Sequence, residues 1–160
     1  MSGTVAPNAE RRVVVSPDPG TTTRLGRAIG MLAAAGDLIC LWGDLGAGKT
    51  HLAKAIGAAL GVSDTIASPS FILMAEYEGR LPLFHIDPYR LLSAEDALAG
   101  GLIDERQAGG VTLLEWPERL GDALPVERLD IRIGGTGDDP RTIELVARSD
   151  RYRRYLEAAP

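Results

Sequence analysis

Residues 43–50 of this chain read Gly43-Asp44-Leu45-Gly46-Ala47-Gly48-Lys49-Thr50, a full match to the pattern G-x-x-x-x-G-K-[ST]. Those residue types in that order suit a polyphosphate. Glycines let the backbone bend so that successive N–H groups face the phosphate oxygens. A helix starting at the end of the loop adds its positive N-terminal end. Lys49 has the charge and reach for the terminal phosphates, and the Thr50 hydroxyl is a ligand for the accompanying Mg²⁺. The expected binding set is Gly43, Asp44, Leu45, Gly46, Ala47, Gly48, Lys49, Thr50 and His51.

Binding alone needs no more than this; hydrolysis also needs an acid to hold the metal or orient a water. Such a group sits best at the C-terminal end of a strand beside the loop. Glu115 follows the apolar run Val111-Thr112-Leu113-Leu114, and Asp87 closes the run from Leu81 to Ile86. Spacing does not rank the two. Lys49, Asp87 and Glu115 form the candidate catalytic set, and Thr50, Asp87 and Glu115 the candidate metal set. Asp44, inside the loop, reads as a cap for backbone N–H groups. His85 shares a strand face with Asp87 and is expected to bond to it in a structural role, with a base as the alternative. Trp116 reads as a packed aromatic, with stacking on a base or a partner as the alternative. Ser68 and Ser70 are equally a phosphate-sensing segment or a plain turn, and Tyr89 and Arg90 either bind a partner or brace the fold.

The elements that must position these groups follow from apolar pattern and breakers. Asp37-Leu38-Ile39-Cys40-Leu41-Trp42 is a strand leading into the loop. Leu52, Ala55, Ile56, Ala59 and Leu60 recur at helical spacing behind it, until Gly61. Ahead of this unit, Arg11–Val15 reads as a strand, and a helix starts at Thr21 or Thr22 and ends near Gly36. Residues 71–77 and 81–87 are expected to form a hairpin, with Pro82 at the start of the return strand or at a sheet edge. Ser93 is expected to cap a short helix that ends at Gly100-Gly101. Asp130–Ile133 and Thr142–Val146 alternate like an antiparallel pair around a Gly/Asp turn. The expected fold is a three-layer α/β domain of the P-loop NTPase type, its parallel core sheet extended by antiparallel strands. Residues 1–12 are expected to be a disordered lead, 13–147 one domain, and 148–160 a basic C-terminal helix or tail.

Composition narrows the partners. A net charge of −5 argues against a protein that grips nucleic acid unaided. Lys49 and Lys54 are the only lysines beside fifteen arginines, and one of them occupies the position where a compact ammonium is wanted. Arg148, Arg151, Arg153 and Arg154 cluster around Tyr152 and Tyr155, which suits a solvated terminal helix better than an RNA contact. No apolar run approaches membrane-spanning length, no secretory leader is visible, and the lone Cys40 fits a reducing cytosol. The expected location is therefore cytoplasmic, with no membrane partner.

The guanine-selecting N-K-x-D motif is absent, since Asn8 is the only asparagine, and no D-x-x-G occurs. The rivals to an ATPase are a small-molecule kinase, which would need a lid rich in arginine, and a scaffold that binds nucleotide without hydrolysing it. Four segments in order, GDLGAGKT (43–50), SPSFIL (68–73), HIDPYRL (85–91) and LEWP (114–117), resemble the bacterial TsaE family. The resemblance runs from about Pro17 to about Ala147. It implies a Mg-dependent ATPase that associates with the TsaB and TsaD proteins and supports threonylcarbamoyladenosine formation in transfer RNA, with RNA contact indirect. Under it, Lys49 and Thr50 hold ATP and Mg²⁺, Asp87 matches the family's H-x-D aspartate, and Glu115 matches its E-W glutamate near the metal. Ser68-Pro69-Ser70 matches a switch-like segment, and Thr22 lies near the nucleotide base. Two departures stand out: His51 where the family often has a second Thr, and Pro88 where it commonly has Leu.

Overall fold

A computed structural model of the chain describes residues 10–44, 46–66, 74–88 and 105–159. Strands run over Glu10–Ser16 (β1), Leu38–Trp42 (β2), Met74–Tyr77 (β3), Leu83–Ile86 (β4), Val111–Glu115 (β5), Leu129–Gly134 (β6) and Arg141–Ala147 (β7). Helices span Pro19–Leu32 (α1) and Lys49–Ala59 (α2), with short 3-10 helices at Glu105–Gly109, Pro117–Ala123 and Asp150–Ala158. The strands form one sheet in the order β1-β7-β6-β2-β5-β4-β3. β2 pairs in parallel with β5 and β6, and β5 with β4. The pairs β3–β4, β6–β7 and β1–β7 are antiparallel. This is the three-layer P-loop type of α/β fold, a parallel core extended by antiparallel strands at both ends.

Apolar side chains on both faces of β2 explain its central place. Ile39 and Leu41 join Leu25, Ile29, Leu52 and Ile56 of the two helices in the larger core. On the other face, Leu38 and Cys40 pack with Ile86, Leu114 and Leu120, the last from the 3-10 helix that follows β5. Burial, and then the nearby Asp130, push the Cys40 thiol well up, so it behaves as a small apolar filler. Helices α1 and α2 meet almost backbone to backbone. A Cβ on Gly26 would lie 2.6 Å from the Ala55 Cβ, and one on Gly30 would lie 2.5 Å from the Ile56 carbonyl oxygen.

Three sequence expectations shift in detail. Helix α1 starts at Pro19, earlier than Thr21 or Thr22. The Asp18 carboxylate accepts the Thr21 N–H at 2.8 Å as its cap, and a first-turn proline has no N–H to waste. Pro82 stands at the start of the return strand, as one expected alternative had it, and β4 lies inside the sheet between β5 and β3, so the edge alternative falls. The arginine-rich end is docked: Tyr152, Tyr155 and Leu156 are buried, and the Leu38 N–H donates to the Tyr152 hydroxyl at 2.9 Å. Residues 68–73, Tyr89, Arg90 and the helix expected from Ser93 lie outside the described residues. Among the described residues, no helix is long and apolar enough to cross a membrane.

Candidate functional site

The two helices start in contrasting ways. Helix α1 begins under a carboxylate cap, whereas α2 begins at Gly48 with no side chain bonded to its free N–H groups. Uncapped donors at a helix start are the elements of an anion site. Gly46 (φ +80°) and Gly48 (φ +109°) hold left-handed backbone that a side chain would strain. A Cβ added at either position would meet nothing within 4 Å. Glycine is thus required by the backbone angle and not by crowding, and the space beside the loop stays open for a ligand. The Ala47 N–H closes the loop on the Asp44 carbonyl at 3.1 Å. Asp44 is exposed, and the expected capping role of its side chain is not seen among the described contacts.

Lys49 is buried although it starts a helix. Its Nζ donates to the Gly43 carbonyl at 2.6 Å and sits 3.5 Å from the centroid of the Trp116 ring. Burial lowers its pKa, against the opposing pull of Glu115, Glu118, Asp87 and Asp44. A carbonyl and a ring face hold an ammonium without neutralising it. Trp116 is the one described non-glycine residue with positive φ, at +51°. That left-handed turn, straight after the buried strand end Glu115, aims the indole under the lysine. Sequence reasoning offered packing or base stacking for Trp116; its position next to Glu115 was the available signal for this third role.

Glu115 and His85 are both buried, and His85 Nε2 donates to Glu115 Oε2 at 2.6 Å. This corrects the expected bond from His85 to Asp87. Parallel pairing sets His85 opposite Leu113 and Ile86 opposite Leu114, which brings the histidine and the strand-end glutamate onto one face. His85 Nδ1 has no partner among the described residues. Asp87 is buried one step beyond β4, whose last pair sets Ile86 opposite Leu114, the residue before Glu115. Both acids therefore stand at the C-terminal edge of the parallel core, the edge from which the Gly43–Thr50 loop rises. Among the described residues, no three His, Cys, Asp or Glu side chains form a metal cage. One or two carboxylates and a threonine hydroxyl are the donor set of a Mg²⁺ completed by phosphate oxygens and water.

Next to the loop lies a cleft of about 230 Å³ whose walls include Thr22, Gly48, His51, Gly137 and Asp139. Thr22 is buried there, its Oγ1 2.6 Å from the Ser16 hydroxyl. His51 Nε2 lies 2.9 Å from Thr23 Oγ1 and 3.1 Å from the Pro19 carbonyl. Since a carbonyl only accepts, Nε2 carries the proton, and His51 ties α2 to the start of α1. Loop, lysine, both acids and cleft thus form one continuous region. Leu45 and residues 68–70 lie outside the described residues. The terminal arginines are elsewhere: Arg148 pairs with Asp130 at 2.8 Å, Arg151 with Asp37 at 2.8 Å, and Arg154 with Asp37.

A glycine loop between a central parallel strand and an uncapped helix, faced by strand-end acids, defines the P-loop class of α/β proteins. The model of the family described as Threonylcarbamoyl adenosine biosynthesis protein TsaE matches residues 16–143. A Bacillus subtilis protein named tRNA threonylcarbamoyladenosine biosynthesis protein TsaE is 38% identical over 141 residues, covering 88% of each chain. A Treponema pallidum protein of the same name is 39% identical over 131 residues, covering 82% of this chain and 97% of that one. The crystal structure of Bacillus subtilis YdiB superposes with a TM-score of 0.77 at 33% identity, covering 93% of both chains. The chain belongs to the TsaE family.

Proposed function

We propose that this protein is a Mg-dependent ATPase of transfer-RNA threonylcarbamoyladenosine biosynthesis, working in the cytoplasm with the TsaB and TsaD proteins. The observation that carries this reading is the uncapped α2 start beside a buried Lys49 whose contacts among the described residues are a carbonyl and a ring face. In this reading the backbone of residues 43–51 cradles the phosphates, and Lys49 leaves Gly43 to neutralise them. Thr50, Glu115 and Asp87 would hold Mg²⁺, directly or through water. Mg-ATP, when bound, supplies the reactive terminal phosphoryl group. His85 fixes the Glu115 carboxylate by donating to Oε2, which leaves the other carboxylate oxygen to face the site. The relatives' names support the pathway, and the TsaB and TsaD assignment rests on the family resemblance.

Arg141 is the one described arginine that lines the cleft, and backbone carbonyls engage its guanidinium, so hydrolysis by the isolated chain is expected to be slow. The test is phosphate release from Mg-ATP by the purified protein, alone and with TsaB and TsaD. Stimulation by the pair is the expected result. Tight ATP binding with no phosphate release under either condition would replace this reading with a scaffold. Transfer of labelled phosphate to a small acceptor would replace it with a kinase.

A further inference from the structure

Arg141 opens β7, ninety-four positions beyond Ala47 of the phosphate loop, yet it is bonded to that loop. Its Nε donates to the Ala47 carbonyl at 2.8 Å, and its Nη2 reaches the Gly46 carbonyl at 3.3 Å. The same guanidinium donates to Gly137 at 3.0 Å and to Asp139 at 2.5 Å, both carbonyls of the β6–β7 turn. One planar fork thus joins two carbonyls of the loop to two of the turn, and that turn forms a wall of the cleft.

We infer that Arg141 is a positioning residue for polyphosphate binding, a role that rests on the nucleotide-binding reading above. In a trans peptide the C=O and N–H point opposite ways. Holding the Ala47 carbonyl outward therefore keeps the Gly48 N–H turned inward, at the start of α2. Residues 46–48 are the part of the loop most able to lose that orientation, because Gly46 and Gly48 flip at little steric cost. An inward-flipped carbonyl would set a negative oxygen against phosphate. Arg141 lines the cleft, and it blocks the flip by holding the loop carbonyls rather than by bonding the phosphates. A lysine could supply the same charge, but a single ammonium cannot span four carbonyls in one plane.

Calorimetric titration of ADP and of Mg-ATP into wild type, Arg141→Ala, Arg141→Lys and Lys49→Ala tests this. Arg141→Ala is expected to weaken both nucleotides about tenfold, and Arg141→Lys nearly as much. In turnover, KM should rise by a similar factor while kcat changes by less than about twofold. Amide hydrogen exchange of the ligand-free Arg141→Lys protein should rise within residues 43–50 and stay at the wild-type level in β2 and β5. Wild-type affinity in Arg141→Ala overturns the inference. Full recovery by Arg141→Lys also overturns it, because charge alone would then explain the loss. Should Arg141→Ala fail to fold, the lysine variant and its exchange pattern decide. A folded wild type that binds neither nucleotide would sink the nucleotide reading itself, which is a separate outcome.

Discussion

Strand β2 has a buried charge at each end, Asp37 just before it and Lys49 at the far end of the loop that follows it. Asp37 is closed off on all sides. It accepts from Arg151 at 2.8 Å, from the Ala34 N–H at 3.1 Å, and from Arg154 and the Tyr155 hydroxyl. Burial, then the bond to Asp37, raise the Tyr155 pKa far above its usual value, so the phenol remains a donor. Lys49 has a carbonyl and an indole face, and four carboxylates close enough to act on it through space. The difference teaches how one short strand serves two ends. A charge met by opposite charge and hydrogen bonds locks the chain in place. A charge met by weak, exchangeable partners is kept ready for something else.

The first way to break this comparison is Asp37→Ala. It leaves Arg151, Arg154 and Tyr155 around a missing carboxylate. Breaking a buried pair costs about 3–5 kcal/mol, and the partial exposure of both arginines places the expected loss near about 3. Denaturant unfolding measures it, and a loss under about 1 kcal/mol would refute the locking role. Lys49→Ala should act the other way round. Nucleotide affinity should drop more than about a hundredfold. Stability should stay within about 1 kcal/mol of wild type, since no ion pair is broken. Glu115→Gln keeps the shape of the side chain and should slow phosphate release roughly tenfold to a hundredfold, with nucleotide affinity within about threefold. Unchanged turnover would remove Glu115 from the metal set.

A pH series sharpens the contrast further. Because burial lowers the Lys49 pKa from the ordinary 10.5, the ligand-free lysine loses its proton at lower pH than an exposed one. Nucleotide affinity should therefore fall as pH rises through the alkaline range below 10.5. Stability moves in the opposite sense. A lysine whose folded pKa is depressed destabilises the fold below that pKa, and the penalty is relieved as pH rises toward the unfolded value. Comparing wild type with Lys49→Met over that window should show the relief in wild type alone. The smallest effect is expected at Arg153, whose pairs with Glu10 and Asp150 at 3.3 and 3.4 Å lie on the surface. Arg153→Ala should change stability by less than about 0.5 kcal/mol.

The two ends of β2 were not equally legible in the sequence. The Gly43–Thr50 loop is contiguous, and the phosphate chemistry proposed for it calls for particular residue types at fixed spacing, so its place between β2 and α2 was legible in eight letters. The strand-end acids were legible because each closes an apolar run. The locking cluster was not, because Asp37 finds Arg151, Arg154 and Tyr155 more than a hundred residues away. The four arginines read as a solvated basic tail, and only the docking of Tyr152 and Tyr155 turned three of them inward. His85 was assigned to Asp87 from strand periodicity. The pairing of β4 with β5, which no local pattern reports, gave it to Glu115 instead. Arg141 carried no signal at all, since its partners are backbone carbonyls and backbone is the same in every sequence.

The glycine contact between α1 and α2 has a mechanical consequence. Helices separated by a layer of side chains slide past each other through small rotamer adjustments. Gly26 and Gly30 leave no such layer here, so the two helices behave as a single stiff rod pair. The start of α1 and the start of α2 are carried on that one body, with Asp18 and Pro19 on one wall of the cleft and Gly48 and His51 on the other. The His51 bond to the Pro19 carbonyl joins the two walls directly. The third side is the β6–β7 turn, and Arg141 fastens that turn to the loop, so the cleft is braced there as well.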